Sequence, residues 1–251
     1  MAARRPPLAV PVFTPFDIKL AELCAKDLWN GIHFATKASS GISDERLLKT
    51  FYDACREHQA SPSPVSVALL RQLIYVCRLG RSTPASAHKP GIAALLRIVG
   101  PFYKASTRTQ LTHLGKDAGV NAILELASAW VKGRHGVPLS TRLLFFCVPE
   151  MMIFNFSRPL GKAMHVPSDA EDGLRTFNTL LAEGMRANKA LLTKLRLPRQ
   201  TPVSVLSKAD WLAIGNTTWW QRRVLDIALM IRFTDVEPHC MLRTEARALT
   251  R

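Results

Sequence analysis

Carboxylates are scarce in this chain. Its 251 residues hold 19 Asp and Glu against 34 Lys and Arg, a formal net charge of +15. An excess that large favours a polyanionic partner, most simply nucleic acid, or marks a ribosome-associated protein. Paired cysteine is also missing. The five cysteines (Cys24, Cys55, Cys77, Cys147, Cys240) are scattered, with no Cys-x-x-Cys pair and no Cys/His cluster of zinc spacing, and the seven histidines are equally dispersed. No metal and no cofactor is expected, and the thiols read as buried and free in a reducing cytoplasm. Long apolar runs are absent too. The longest, Leu143 to Phe156, is broken by Pro149, Glu150 and Asn155, short of a membrane span of about 18 residues. The N-terminus carries Arg4 and Arg5 without an apolar segment behind them, which does not read as a secretory signal. Nor does any segment spell a phosphate loop, a dinucleotide fingerprint, a zincin helix or a nucleophile elbow.

Alternating strand patterns are also wanting, and what remains is helical, roughly nine or ten helices by the periodicity. Prolines at 6, 7, 11 and 15 make residues 1–15 an extended basic arm, tucked against a core by Val10, Val12 and Phe13 or free to touch a phosphate backbone. Ser43 caps an amphipathic helix whose inward stripe is Leu47, Leu48, Phe51, Ala54 and Cys55. Val65 to Leu79 reads as a central helix, Ser82 to Pro90 as a loop, and Gly91 to Val99 as a short helix stopped by Gly100-Pro101. One or two helices between Thr107 and Val131 break near Gly119. Ser168 to Glu171 forms a capping box, opening a helix that runs to about Leu195. Ser207 starts another, and Thr217 or Thr218 starts the last, TTWWQRRVLDIALMIRF. Residues 234–251 read as a polar, basic tail.

Within the final helix, Trp219 and Trp220 are not expected to face inward together. One belongs in the core, and the other, with Trp219 as the candidate, offers a platform for a base or a partner. Arg222 and Arg223 either contact phosphate or solvate the helix. Asp226 either pairs with an arginine in the core or serves as an acid. Phe154 and Phe156 stack on a base or fill the core, and Asn155 caps the helix beginning near Ser157 or lines a pocket.

Three segments carry a resemblance. GRHGVPLSTRLLFF resembles the second half of a helix-hairpin-helix, MMIFNFSRPLGKAM resembles the loop that follows that hairpin in the helix-hairpin-helix DNA glycosylase superfamily, and WWQRRVLDIALMIRF is similar to a helix of the 8-oxoguanine-glycosylase-like bacterial proteins in it. They occur in the family's order and span about Phe102 to Phe233. The resemblance implies an all-α, two-lobed fold; the chain is divided into an N-terminal helical lobe over 16–100, which matches no part of the family, and a glycosylase-like region over 101–233 with its hairpin at 132–146. It implies DNA as partner, held by the turn at Gly136 and Val137, by Ser140, and by Lys132, Arg134, Arg142, Arg158 and Lys162 around it, with a base extruded into a cleft. Asn155 stands at the family's catalytic Asp and Ser140 at its hairpin Lys, while Pro138 replaces the second turn glycine. An amide lacks the charge to stabilise an oxocarbenium ion, so the expectation is a DNA-binding, glycosylase-like protein in which catalysis is doubtful. Were it an enzyme, it would be a monofunctional N-glycosidase, its acid coming from Asp169 or Asp172 if not from residue 155. The alternative is an all-helical interaction subunit of a nucleic-acid-handling or mobile-element complex, with a protein as partner.

Overall fold

A computed structural model describes residues 9–32, 42–76, 85–103, 116–130, 136–166 and 171–250. Among them the chain is all-helical. Twelve helices follow one another: α1 (Pro15–Trp29), α2 (Asp44–Ala60), α3 (Pro64–Val76), α4 (Ala85–Tyr103), α5 (Lys116–Trp130), α6 (Gly136–Cys147), α7 (Arg158–Ala163), α8 (Glu171–Ala187), α9 (Lys189–Leu192), α10 (Lys208–Gly215), α11 (Trp219–Phe233) and α12 (Cys240–Ala248). None is long and apolar enough to cross a membrane.

Local chemistry accounts for several of the starts. Thr14 and Asp17 close a reciprocal capping box on α1, Ser43 accepts from the Arg46 amide at α2, and Ser207 accepts from the Asp210 amide at α10. The stripe expected on α2 is buried throughout. The proline-rich arm gives way to helix at its own last proline, since Pro15 has the φ and the missing N–H that a first helical position tolerates.

Elsewhere the expected stops are overridden. Helix α4 runs through Pro90, Gly91, Gly100 and Pro101 without a break. Its glycines serve packing: a Cβ on Gly91 would lie 2.3 Å from the indole of Trp130 on α5. Gly119 does not break α5 either. It lets the helix approach the carbonyl of Met152, 3.1 Å from where a Cβ would sit. The helix expected to reach Leu195 is interrupted at Asn188, and the supposed polar tail contains α12, which packs on α1. The capping box at Ser168 lies outside the described residues.

Helix α1 packs against α11 and α12, α2 against α3, α4 and α6, and α5 against α4, α6 and α8. Buried apolar side chains from Phe13 to Ala246 form one cluster, so the stretches 16–100 and 101–233 share a core. Trp29 of α1 meets both tryptophans of α11, with ring centroids 6.0 Å from Trp219 and 5.9 Å from Trp220. Three thiols, Cys24, Cys55 and Cys147, are buried and free, whereas Cys240 is exposed and Cys77 lies outside the described residues.

Candidate functional site

The three segments that carry the resemblance meet in space. Helix α6, the loop at 148–157 and helix α11 are joined by side-chain hydrogen bonds. Thr141 of α6 accepts the Phe156 amide at 3.2 Å and donates to the Pro138 carbonyl. Trp219 of α11 donates its indole N–H to the Phe145 carbonyl at 2.9 Å. Arg222 donates from Nη1 to the Ile153 carbonyl at 2.7 Å and from Nη2 to the Pro149 carbonyl, pinning both ends of the turn that leaves α6. Its guanidinium also lies 5.4 Å from the Phe145 ring centroid. One turn further along α11, Asp226 accepts from the Asn155 side-chain amide at 2.6 Å. Arg223, facing the other way, makes a two-pronged pair with Asp44 of α2 at 2.7 and 3.1 Å.

Four charged groups are thereby folded into the core. Burial dominates the electrostatics of Asp226 and Arg222. It pushes the Asp226 carboxyl up to about 7, although the Arg223 guanidinium, the Asn155 amide and Arg222 all pull the other way. Burial likewise lowers Arg222 to about 10, against the opposing pull of Asp226 and Glu150. Oδ1 of Asn155 and Oδ1 of Asp226 are both buried without a hydrogen-bond partner, as is Nε of Arg222. Asp226 is a group able to exchange a proton near neutrality, but it is 2% exposed, with the Asn155 amide hydrogen-bonded to it. Two surface cavities are lined by other residues. One of about 600 Å³ lies among His58, Gln59, Leu96 and Arg97, and one of about 250 Å³ among Phe16, Leu20, Ile231 and Arg243.

Several expected site residues are accordingly not at the surface. Arg222 and Arg223, expected at phosphate, are held inside by the Pro149 and Ile153 carbonyls and by Asp44. Trp219 is no platform. Both tryptophans are buried because α11 begins in a crevice: Trp219 packs on Phe145 and Phe146, and Trp220 on Trp29. Phe154 and Phe156 are core residues, Phe156 set edge-on to Phe177 of α8. Gly136, Val137 and Ser140 are buried in the first turns of α6. A Cβ on Gly136 would stand 2.4 Å from the Ala127 carbonyl oxygen, so this glycine serves the crossing of α5 and α6. Ser140 is fully buried with its hydroxyl unpartnered, out of reach of a sugar. Asn155 does not cap α7; Ser157 does, accepting from the Leu160 amide. Arg142, Arg158 and Lys162 are exposed, as is Asp172, whereas Lys132, Arg134 and Asp169 lie outside the described residues.

Sequence reasoning passed over Thr141 and the clasp role of Arg222. A signal for the second was present: Arg222, Asp226 and Leu229 share a stripe with Trp219, and polar residues on an apolar stripe of a helix must find partners in the core. No protein-family model matches the chain, and neither does any curated protein or solved structure.

Proposed function

We propose that this chain is a DNA-binding protein of helix-hairpin-helix glycosylase-like build that holds the phosphate backbone and performs no base excision through residue 155. The observation that carries the reading is the large excess of cations over acids. Seven acids among the described residues are engaged with protein groups: Asp44 and Asp226 in the core, Glu45 on the amides of Val205 and Leu206, and Glu22, Asp53, Glu171 and Asp210 in ion pairs near the surface. A net charge of +15 attracts a polyanion over long range, and among the described residues Lys189, Lys194, Arg199 and Lys208 are exposed cations available to meet it. The meeting of α6, the 148–157 loop and α11 supports the family likeness. The amide at 155, closed onto Asp226, speaks against a developing sugar cation being met there.

The test is a single-turnover excision assay on duplexes carrying 8-oxoguanine, uracil, hypoxanthine or an abasic site, with equilibrium binding recorded at several salt concentrations. Wild type and Asn155→Ala are run together. The expected result is steeply salt-dependent binding by both without excision. Excision by wild type that the variant loses would make the protein an enzyme with an Asn-centred site. Absence of binding would overturn the reading in favour of an interaction subunit, and a cytoplasmic DNA partner would fall with it.

A further inference from the structure

The carboxylate deficit is uneven along the chain. From Gly184 to Ala209 there is no Asp or Glu, while Arg186, Lys189, Lys194, Arg196, Arg199 and Lys208 occur in that interval. All six are exposed. Arg186 approaches Glu183 at 3.7 Å, and Arg196 turns Nη1 onto the carbonyls of Thr193 and Leu195. Lys189, Lys194, Arg199 and Lys208 have no ion-pair partner among the described residues.

This segment is anchored on its other side. Asn188 accepts the Phe13 amide at 2.9 Å and donates to the carbonyls of Pro11 at 2.9 Å and Gly184 at 2.7 Å, clamping the elbow between α8 and α9 to the N-terminal segment. Leu192, Leu195 and Leu197 are buried, so the intervening Lys194 and Arg196 point outward. Trp211 donates its indole N–H to the Pro198 carbonyl at 3.2 Å, and Gln200 donates to the Leu206 carbonyl at 2.9 Å. Exposed cations carried on a braced backbone bind without first ordering a loop.

We propose that the segment 186–199, held by the Asn188 clasp, is a surface that grips the sugar-phosphate backbone of a nucleic acid. The inference rests on the DNA-binding reading and names its contact residues, which are other than Arg142, Arg158 and Lys162. A phosphate backbone fits better than a membrane. The segment's leucines are turned into the core, which leaves charge without the apolar side chains that a bilayer surface takes up. Mixed guanidinium and ammonium groups suit sequence-independent phosphate contact.

The test compares the full chain with Lys189→Gln/Lys194→Gln/Arg199→Gln and with Arg158→Gln/Lys162→Gln. Binding to a fluorescein-labelled mixed-sequence duplex is followed by anisotropy from about 50 to 300 mM salt, and binding to vesicles of phosphatidylcholine and phosphatidylserine is measured alongside. Three lost phosphate contacts should reduce the slope of log K against log salt by about 2.7 and weaken binding on the order of 100-fold near 0.15 M salt. The unfolding midpoint should stay at the wild-type value, because all three side chains are exposed. A wild-type slope in the triple variant, with the Arg158/Lys162 variant losing binding instead, overturns the assignment of the surface while DNA binding stands. Vesicle binding that depends on the three residues, with duplex binding that does not, overturns it in favour of a membrane. Failure of the wild type to bind the duplex at all removes both the surface and the reading beneath it.

Discussion

Asp226→Asn should make the protein more stable at neutral pH, and the gain should vanish in acid. The carboxyl is 2% exposed, and burial holds it at about 7 against an ordinary 3.8. For an acid raised in this way the folded state binds the proton more tightly than the unfolded chain does. The associated stability is therefore fully present below about pH 4, is lost progressively as pH rises towards 7, and is gone above that. At about 1.4 kcal/mol per pH unit the loss across that window is about 4 kcal/mol. The variant removes the ionisation and keeps the shape. Its side-chain oxygen can still accept from the Asn155 amide, and its new N–H₂ adds a donor to a pair in which Asn155 Oδ1 is buried without a partner. Urea unfolding followed by tryptophan fluorescence, for wild type and variant between about pH 4 and 8.5, yields a difference curve free of every other titrating group. The difference should be near zero at the acid end and rise by several kcal/mol across neutrality. A flat difference curve, or one favouring wild type as pH rises, would show that Asp226 is ionised at low cost inside the clasp and would refute the burial argument.

Three further substitutions probe the same architecture. Asn155→Asp sets two carboxylates where a 2.6 Å hydrogen bond now stands, so the pair must share a proton; thermal melts should show a destabilisation that is larger at pH 8 than at pH 5. Arg222→Met strips the buried carbonyls of Pro149 and Ile153 of their donor and should cost about 3 kcal/mol in chemical denaturation; a variant as stable as wild type would mean those carbonyls find water. Asn188→Ala breaks all three bonds of the elbow and should cost about 2 to 3 kcal/mol, with faster limited proteolysis around Pro11 than in wild type.

Sequence by itself determined the class and much of the local frame. Capping chemistry is decided by neighbours three residues apart, which is why Ser43 and Ser207 mark real helix starts and the Leu47–Cys55 stripe is buried as its spacing requires. The unequal charge was equally plain, as was the order of the three segments from α6 to α11. Which way a polar or aromatic side chain faces was decided only by tertiary structure, because it depends on what packs beside it. Trp219 and Trp220 both lie inside because α1 and α6 flank the start of α11 on different sides. Gly119 and Gly136 read as a break and a turn along the chain and Gly91 as the start of a helix, yet each marks a close approach between two packed segments. Arg222 and Arg223 read as phosphate contacts or a solvated face, and Asp226 as a core partner or an acid, until the carbonyls of Pro149 and Ile153, the carboxylate of Asp44 and the amide of Asn155 are brought to them. A buried charge needs partners, and those partners come from segments some 70 to 180 residues away, at a range where local pattern carries no information.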